Sequence, residues 1–520
     1  MKRIGMTGLM AAAALAMTAA SAHAFCGFYV SGSEKKMFND ATNVVLMRDG
    51  TRTVLSMQND YKGPLEDFAM VVPVPVVLKK EEVKTLPKAV FDRIDQLGAP
   101  RLVEYWEQNP CPEPYRYRGD VDEDAKLAPM ASADKAEEER PMKRQTVKIE
   151  AKFEVGEYQI LILSATEAAG LEEWLRDNKY KIPKNAEPLL RPYVEAGSKF
   201  FVAKVDPAKV KIEGTGDNKR AALSPLRFHY DTEEFSLPIR LGMANSSGKQ
   251  DLIVNIISKD NRYEVANYKN VVIPTNFDVK PTVKTRFAEF YAALFDKTVE
   301  KNPGAVVTEY AWTSHVKPVG VYGVDCDPCP PEPPVDGDMV TLGADVIGGP
   351  IVNGGFVLTR LHARYGKADM KDDLRFRVGK PITGGREQWS KQGLEYGAQP
   401  AAENYFQGRY AIRHWWTGPI KCANPQRGIW GGPPDGNYGG TMMASKTAFA
   451  PRGQLELAAV IKRDLWEIGY KKSASQPAPA PGNQKFATPP GSKAMSVGAG
   501  AAVGFMLLGL FAWISKRRKA

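Results

Sequence analysis

The side chains most able to do chemistry in this 520-residue chain are its five cysteines and five histidines. Cys326 and Cys329 form the motif Cys326-Asp-Pro-Cys329, and Cys26, Cys111 and Cys422 stand apart from it. A thioredoxin-like pair should open a helix whose N-terminus favours the thiolate. Here Asp325 and Asp327 oppose a thiolate, and Pro330, Pro331, Pro333 and Pro334 forbid a helix directly after the motif. Structural zinc needs two more ligands at short spacing, and the sequence has no second Cys-x-x-Cys or His pair. A c-type haem site needs His after the second cysteine, where Pro330 stands. A structural disulfide, local or to a distant cysteine, is the favoured reading. Two disulfides and one free thiol is the simplest count, and all of Cys26, Cys111, Cys326, Cys329 and Cys422 are candidates.

No catalytic residue is assigned. Once a leader carrying His23 is removed, His229, His315, His362 and His414 remain. Cys422 with His414 is the best Cys/His pair, in a tract that could form a cleft, yet closeness in sequence is not a thiolate pair, and both stay weak candidates. No Gly-x-Ser-x-Gly elbow, His-Glu-x-x-His helix or phosphate-binding Walker loop occurs. Asp120, Asp122 and Asp124 begin like a calcium loop, but Ala125 replaces its glycine and Ala131 its final glutamate, so an acidic linker is the better reading. No metal or cofactor is expected.

Two constellations suit binding. If 356–365 is a strand, Arg360, His362 and Arg364 share one face, with Thr359, Leu361 and Ala363 on the other. That basic row could hold carboxylates or phosphates; a solvated face paired with neighbouring acids is the plainer account. Trp415, Trp416 and Trp430 lie near the glycine-rich stretch 431–440 and could form a stacking platform for a glycan or peptide. Core tryptophans beside a long turn are the competing account.

The elements that must position these residues read as mostly extended. Two runs within 42–57, joined around Asp49-Gly50, predict a hairpin. A buried strand at 68–78 should end at an edge, given Pro73 and Pro75. Further strands are expected at 158–163, 200–205, 251–258, 270–273, 308–312 and 356–365. Helices fit 88–97, 166–178 and 282–297. The second should start on a capping box, Ser164 with Glu167. In the third, Phe287, Phe290, Tyr291 and Leu294 recur at core-facing spacing. The fold class is α+β, predominantly β, with sandwich-like sheets, helical inserts and one C-terminal transmembrane helix.

The termini say where such a body would reside. Lys2 and Arg3 precede an apolar run and Ala22-His23-Ala24, so 1–24 reads as a signal peptide and the mature chain should begin at Phe25. Residues 494–514 carry no charge and would span about 31 Å as a helix. Lys516, Arg517, Arg518 and Lys519 follow, placing 515–520 in the cytoplasm as a basic tail. A sorting tail removed by a membrane protease is the alternative. Between these ends lie an N-terminal β-rich part (25–118), an acidic linker or loop (119–141) and a central α+β part (142–325). A β-rich, Trp- and Gly-rich part (326–472) and a Pro/Ala stalk (473–493) complete the order. Apolar residues at 43% and charged residues at 25% are globular proportions, which excludes a disordered or polytopic membrane chain. The net charge of +10 owes six units to the two termini, and no basic run marks the body, so nucleic acid is not an expected partner.

Several strings carry a resemblance. Residues 25–30, 43–75, 225–230, 235–240 and 262–268, with Cys326-Asp-Pro-Cys329 and 356–365, resemble the bacterial DUF2330 family over nearly all of 25–470. The resemblance implies exported bacterial proteins, typically with a signal peptide and often a terminal anchor, and supplies no activity for named residues. The expectation is an exported envelope protein with a periplasmic or cell-surface ectodomain, a single-pass anchor and a cytoplasmic C-terminus. Its body should bind or scaffold an envelope protein, glycan or peptide. The alternative is an envelope hydrolase with a spatially assembled site.

Overall fold

The computed structural model describes residues 28–31, 38–62, 68–111, 147–180, 182, 186–213, 220–244, 249–315, 325–347, 355–366, 369–390, 393–434, 442–443 and 455–471. The chain is α+β and mostly strand. The expected signal peptide, Cys26, acidic linker, stalk, 494–514 span and basic tail all lie outside the described residues. Among the described residues no helix is long and apolar enough to cross a membrane.

Two compact units emerge. Of the described residues, the first takes those within 28–104, 147–413 and 442–471; the second takes 105–111 and 414–434.

An eleven-stranded sheet is the frame of the first unit. Across its middle run, in spatial order, Val306–His315, Gly355–Tyr365, Gln250–Ser258, Phe38–Asp49, Arg52–Lys62, Leu226–Asp231 and Val83–Thr85. Neighbours pair antiparallel except Gln250–Ser258 with Phe38–Asp49, which run parallel. The stretches separated in the sequence reading as 25–118, 142–325 and 326–472 therefore share one sheet. The hairpin at its heart closes where Asp49 pairs with Arg52, and Gly50 takes φ +52°, a left-handed conformation that favours glycine.

A second, antiparallel sheet has the order Phe28–Ser31, Phe68–Val74, Lys199–Val205, Tyr158–Ala165, Val147–Val155. Its strand Phe68–Val74 is an edge only in part. Phe28–Ser31 pairs with it as far as Val71, so Pro73 sits beyond that partner, with a neighbouring strand on one side only, opposite Phe200.

Side-chain alternation distributes the core between the faces. Val44, Leu46, Leu252, Val254, Leu361 and Ala363 of the large sheet join Val72, Ile160, Ile162 and Phe201 of the smaller one in a single apolar cluster. The opposite face of the large sheet is covered by helices. Phe91, Ile94 and Leu97 of Lys88–Gly98 pack with Met47, Tyr310 and Leu358. Phe290, Leu294 and Phe295 of Phe287–Lys301 pack with Val307 and Ala311. All four residues expected on the buried side of the latter helix, Phe287, Phe290, Tyr291 and Leu294, are buried.

One local expectation is corrected. Ser164 does not cap a helix, because it remains in the strand Tyr158–Ala165, where its hydroxyl donates to Glu150 Oε1 at 2.7 Å. The helix is Ala168–Asp177, and its N-cap residue Glu167 makes no side-chain capping bond. Strand pairing holds the serine away from the orphan amides it would otherwise satisfy.

Candidate functional site

The basic row of the strand Gly355–Tyr365 lies on the helix-covered face, so it is enclosed instead of solvated. Arg360, His362 and Arg364 are all buried. Antiparallel pairing sets His362 opposite Val307 on one side and Ile253 on the other. The acids that meet the row come from four elements. Glu309 is the unpaired residue of a β-bulge between Thr308 and Tyr310, and the bulge re-aims it toward the row. Asp251 lies on the strand Gln250–Ser258, Asp95 on the helix Lys88–Gly98 and Asp296 on the helix Phe287–Lys301.

These groups form a closed ladder. Arg360 Nη1 donates to Asp95 Oδ1 at 2.5 Å, and its Nε donates to Glu309 Oε2 at 2.7 Å. The other Glu309 oxygen meets His362 Nδ1 at 2.7 Å and accepts from the Tyr291 hydroxyl. His362 Nε2 lies 3.2 Å from Asp251 Oδ1, and Arg364 holds both Asp251 oxygens, at 2.7 and 3.0 Å, while also pairing with Asp296. Phe295 stacks on the imidazole with ring centroids 3.6 Å apart and lies under the Arg364 guanidinium.

Burial alone would raise the carboxyl pKa of Glu309, but His362, Arg360 and Tyr291 outweigh it and hold the group at about 2. Asp251 is likewise held at about 2 against its burial, by His362 and Arg364. Burial opposes a charged His362, and the carboxylates of Glu309 and Asp251 overcome it, raising the imidazole above its ordinary value. The row is therefore neutralised by the protein's own carboxylates. Its chemistry is to fix two helices and three strands in register; an external anion would have to displace partners already in place.

The tryptophans belong to the second unit, whose described residues are 105–111 and 414–434. A disulfide between Cys111 and Cys422 joins its two segments across 311 residues of sequence. Trp430 and Gly431 pair antiparallel with Glu107 and Trp106. The Glu107 carboxylate, buried, accepts from the amides of Trp416 at 3.0 Å and Gly428 at 2.8 Å, and Arg427 lies 3.4 Å away. The amides of Gln108 and Gln426 bond across the segments to Ile429 and Pro110.

Within this frame the three tryptophans separate. Trp430 is buried, and Trp415 meets it edge-on at 4.9 Å while remaining 44% exposed. Trp416 folds over its own loop, where a Cβ on Gly418 would stand 2.6 Å from the ring. His414 stacks on Trp106 at 4.8 Å. Ile420 adds a second exposed apolar side chain, at 48%. The unit thus presents one rigidly seated indole on a disulfide-closed base.

The Cys422–His414 pair weighed as a catalytic candidate is corrected by these contacts. The Cys422 sulfur is bonded to Cys111 and carries no thiolate, and His414 lies against an indole. A second disulfide, Cys326–Cys329, closes the Cys-x-x-Cys motif on itself. Sequence reasoning missed Glu309, Asp251, Asp95 and Glu107. The signal for Glu309 was available: it is the one acid in the strand Val306–His315, whose residues are otherwise apolar or neutral apart from the final histidine.

No curated protein and no solved structure matches the chain. A family model described as an uncharacterized protein conserved in bacteria, DUF2330, matches residues 20–377. That match takes in the ionic ladder and both cysteines of the Cys326–Cys329 bridge, and it ends before the Trp415 segment and short of residue 470. With more than two-thirds of its length covered, the chain belongs to the DUF2330 family of bacterial proteins.

Proposed function

We propose that this chain is an exported, membrane-tethered protein of the bacterial envelope that works by binding, and that the second unit carries its ligand surface. The observation that carries the reading is Trp415, an indole left exposed yet held edge-on by a buried Trp430. A large aromatic surface whose position costs little further ordering suits stacking on a sugar ring or an extended peptide. Its base is closed by a disulfide, a bond that persists in oxidising compartments. The leader-like 1–24 and the charge-free 494–514 with its basic tail support the same location.

The test is calorimetric titration of the full chain, in detergent, with a panel of envelope oligosaccharides and envelope peptides. At least one member of the panel should bind, and Trp415→Ala should weaken that binding tenfold or more while leaving the thermal midpoint in place. Binding by the variant equal to that of the parent would remove the surface from the function.

A further inference from the structure

We propose that Cys326–Cys329 is a redox-active disulfide, open to exchange with a dithiol protein of the same compartment. The two bridges of this chain differ in what they can contribute to stability. Cys111–Cys422 closes 311 residues of sequence, whereas Cys326–Cys329 closes three, and the stabilisation from a cross-link grows with the loop it closes. The short loop is also held without its sulfurs. Ser314 Oγ donates to the Asp325 carbonyl at 2.7 Å, Gln407 Nε2 to the Asp327 carbonyl at 2.5 Å and Arg101 Nε to the Pro328 carbonyl at 3.0 Å. Arg101 and Gln407 are themselves buried, on the strands Arg101–Glu107 and Tyr405–Gln407. The bridge can open while the backbone around it stays in place.

Its two sulfurs are unequally placed. Cys329 is exposed, and Cys326 is half-buried against the apolar cluster of the helix Lys88–Gly98. One of the acids that argue against a thiolate in sequence has a partner in space: Asp325 Oδ2 lies 2.9 Å from His315 Nδ1. The buried Arg101 guanidinium, bonded to the Pro328 carbonyl, brings a positive charge onto the loop's own backbone.

The exchange proceeds by displacement. A thiolate of the partner attacks Cys329 Sγ, forming a mixed disulfide as the Cys326–Cys329 bond breaks, and the electron pair leaves on the Cys326 sulfur, which takes up a proton. The partner's second thiolate then attacks its own sulfur in the mixed disulfide and releases Cys329, which is protonated in turn. Two electrons and two protons enter this chain, and the partner's dithiol becomes a disulfide.

The test titrates the full chain in detergent against reduced and oxidised glutathione, alkylates it, and reads each cysteine peptide by mass spectrometry. The Cys326/Cys329 peptide should become doubly alkylated under buffers that leave Cys111–Cys422 closed, with unchanged circular dichroism. In cells, the lone Cys329 thiolate of Cys326→Ser should attack the disulfide of the oxidised partner, expelling the partner's second sulfur as a thiolate. With no Cys326 to release it, that variant should be recovered in a mixed disulfide with an exported protein, whereas Cys329→Ser should not. Opening of both bridges only together with unfolding, or equal trapping by the two variants, would overturn the proposal.

Discussion

Glu309 Oε1 stands 2.7 Å from Nδ1 of His362, and both side chains are wholly excluded from solvent. A bulge in one strand and a histidine in the next thus create a charge pair at the centre of the sheet. The pair extends through Arg360 and Asp95 to one helix and through Asp251, Arg364 and Asp296 to another.

This arrangement ties stability to pH in two windows of opposite slope. His362 binds its proton more tightly folded than unfolded, so its contribution is complete below the ordinary histidine value near 6.5 and is lost as pH rises through the raised folded value. Glu309 and Asp251, both held at about 2, contribute fully above their ordinary values of 4.5 and 3.8 and lose that contribution as pH falls toward 2. Urea denaturation across the pH range should therefore rise from acid to a plateau and decline again above neutrality. In His362→Gln the alkaline decline should shrink. An unchanged alkaline limb in that variant would show that the imidazole is not the titrating group.

Removing one partner from the ladder should cost far more than its surface equivalents. Glu309→Ala leaves Arg360 and His362 facing each other in the interior without the carboxylate between them, a change that costs about 3–5 kcal/mol when a buried pair is broken. Arg176→Ala, which breaks an exposed helical pair with Glu172, should cost under about 1 kcal/mol. Denaturation midpoints of the two variants measured side by side check the contrast.

What was legible in the sequence was what is local. The Asp49-Gly50 hairpin, the alternation of Arg360, His362 and Arg364 against Leu361 and Ala363, and the core-facing stripe of Phe287–Lys301 all follow from periods of two or 3.6 residues. What covers a face is not local. The row reads as solvated until helices centred some seventy and two hundred and sixty residues earlier bring Asp296 and Asp95 onto it. The same limit hid the second unit, where Glu107 and Trp430 meet across three hundred residues. Cysteine spacing alone could not connect Cys111 to Cys422, because connectivity is a property of the folded chain.

The two tryptophans of the second unit should separate function from stability. Trp430→Ala removes a buried indole and should destabilise by about 3–5 kcal/mol, seen as early proteolytic cutting within 414–434. Trp415→Ala removes an exposed ring and should change stability by less than about 1 kcal/mol. Equal proteolytic sensitivity of the two variants would mean that Trp415 is part of the packing and not a surface poised for ligand.

The proposed tether makes a topological prediction that does not depend on any ligand. A segment of 21 uncharged residues, 494–514, followed at once by Lys516, Arg517, Arg518 and Lys519, should stop transfer with those basic residues on the cytoplasmic side. A reporter active only in the cytoplasm, fused after Ala520, should work, and a reporter active only after export should be silent there. The same export-dependent reporter fused at residue 471, ahead of the stalk, should be active. Charge reversal of the four basic residues to Glu should weaken this orientation, because the rule counts Lys and Arg near the span and gives acids little weight. Activity of the exported reporter at Ala520 in the parent chain would mean that the segment is translocated, and the body would then be a released protein that acts free of the membrane.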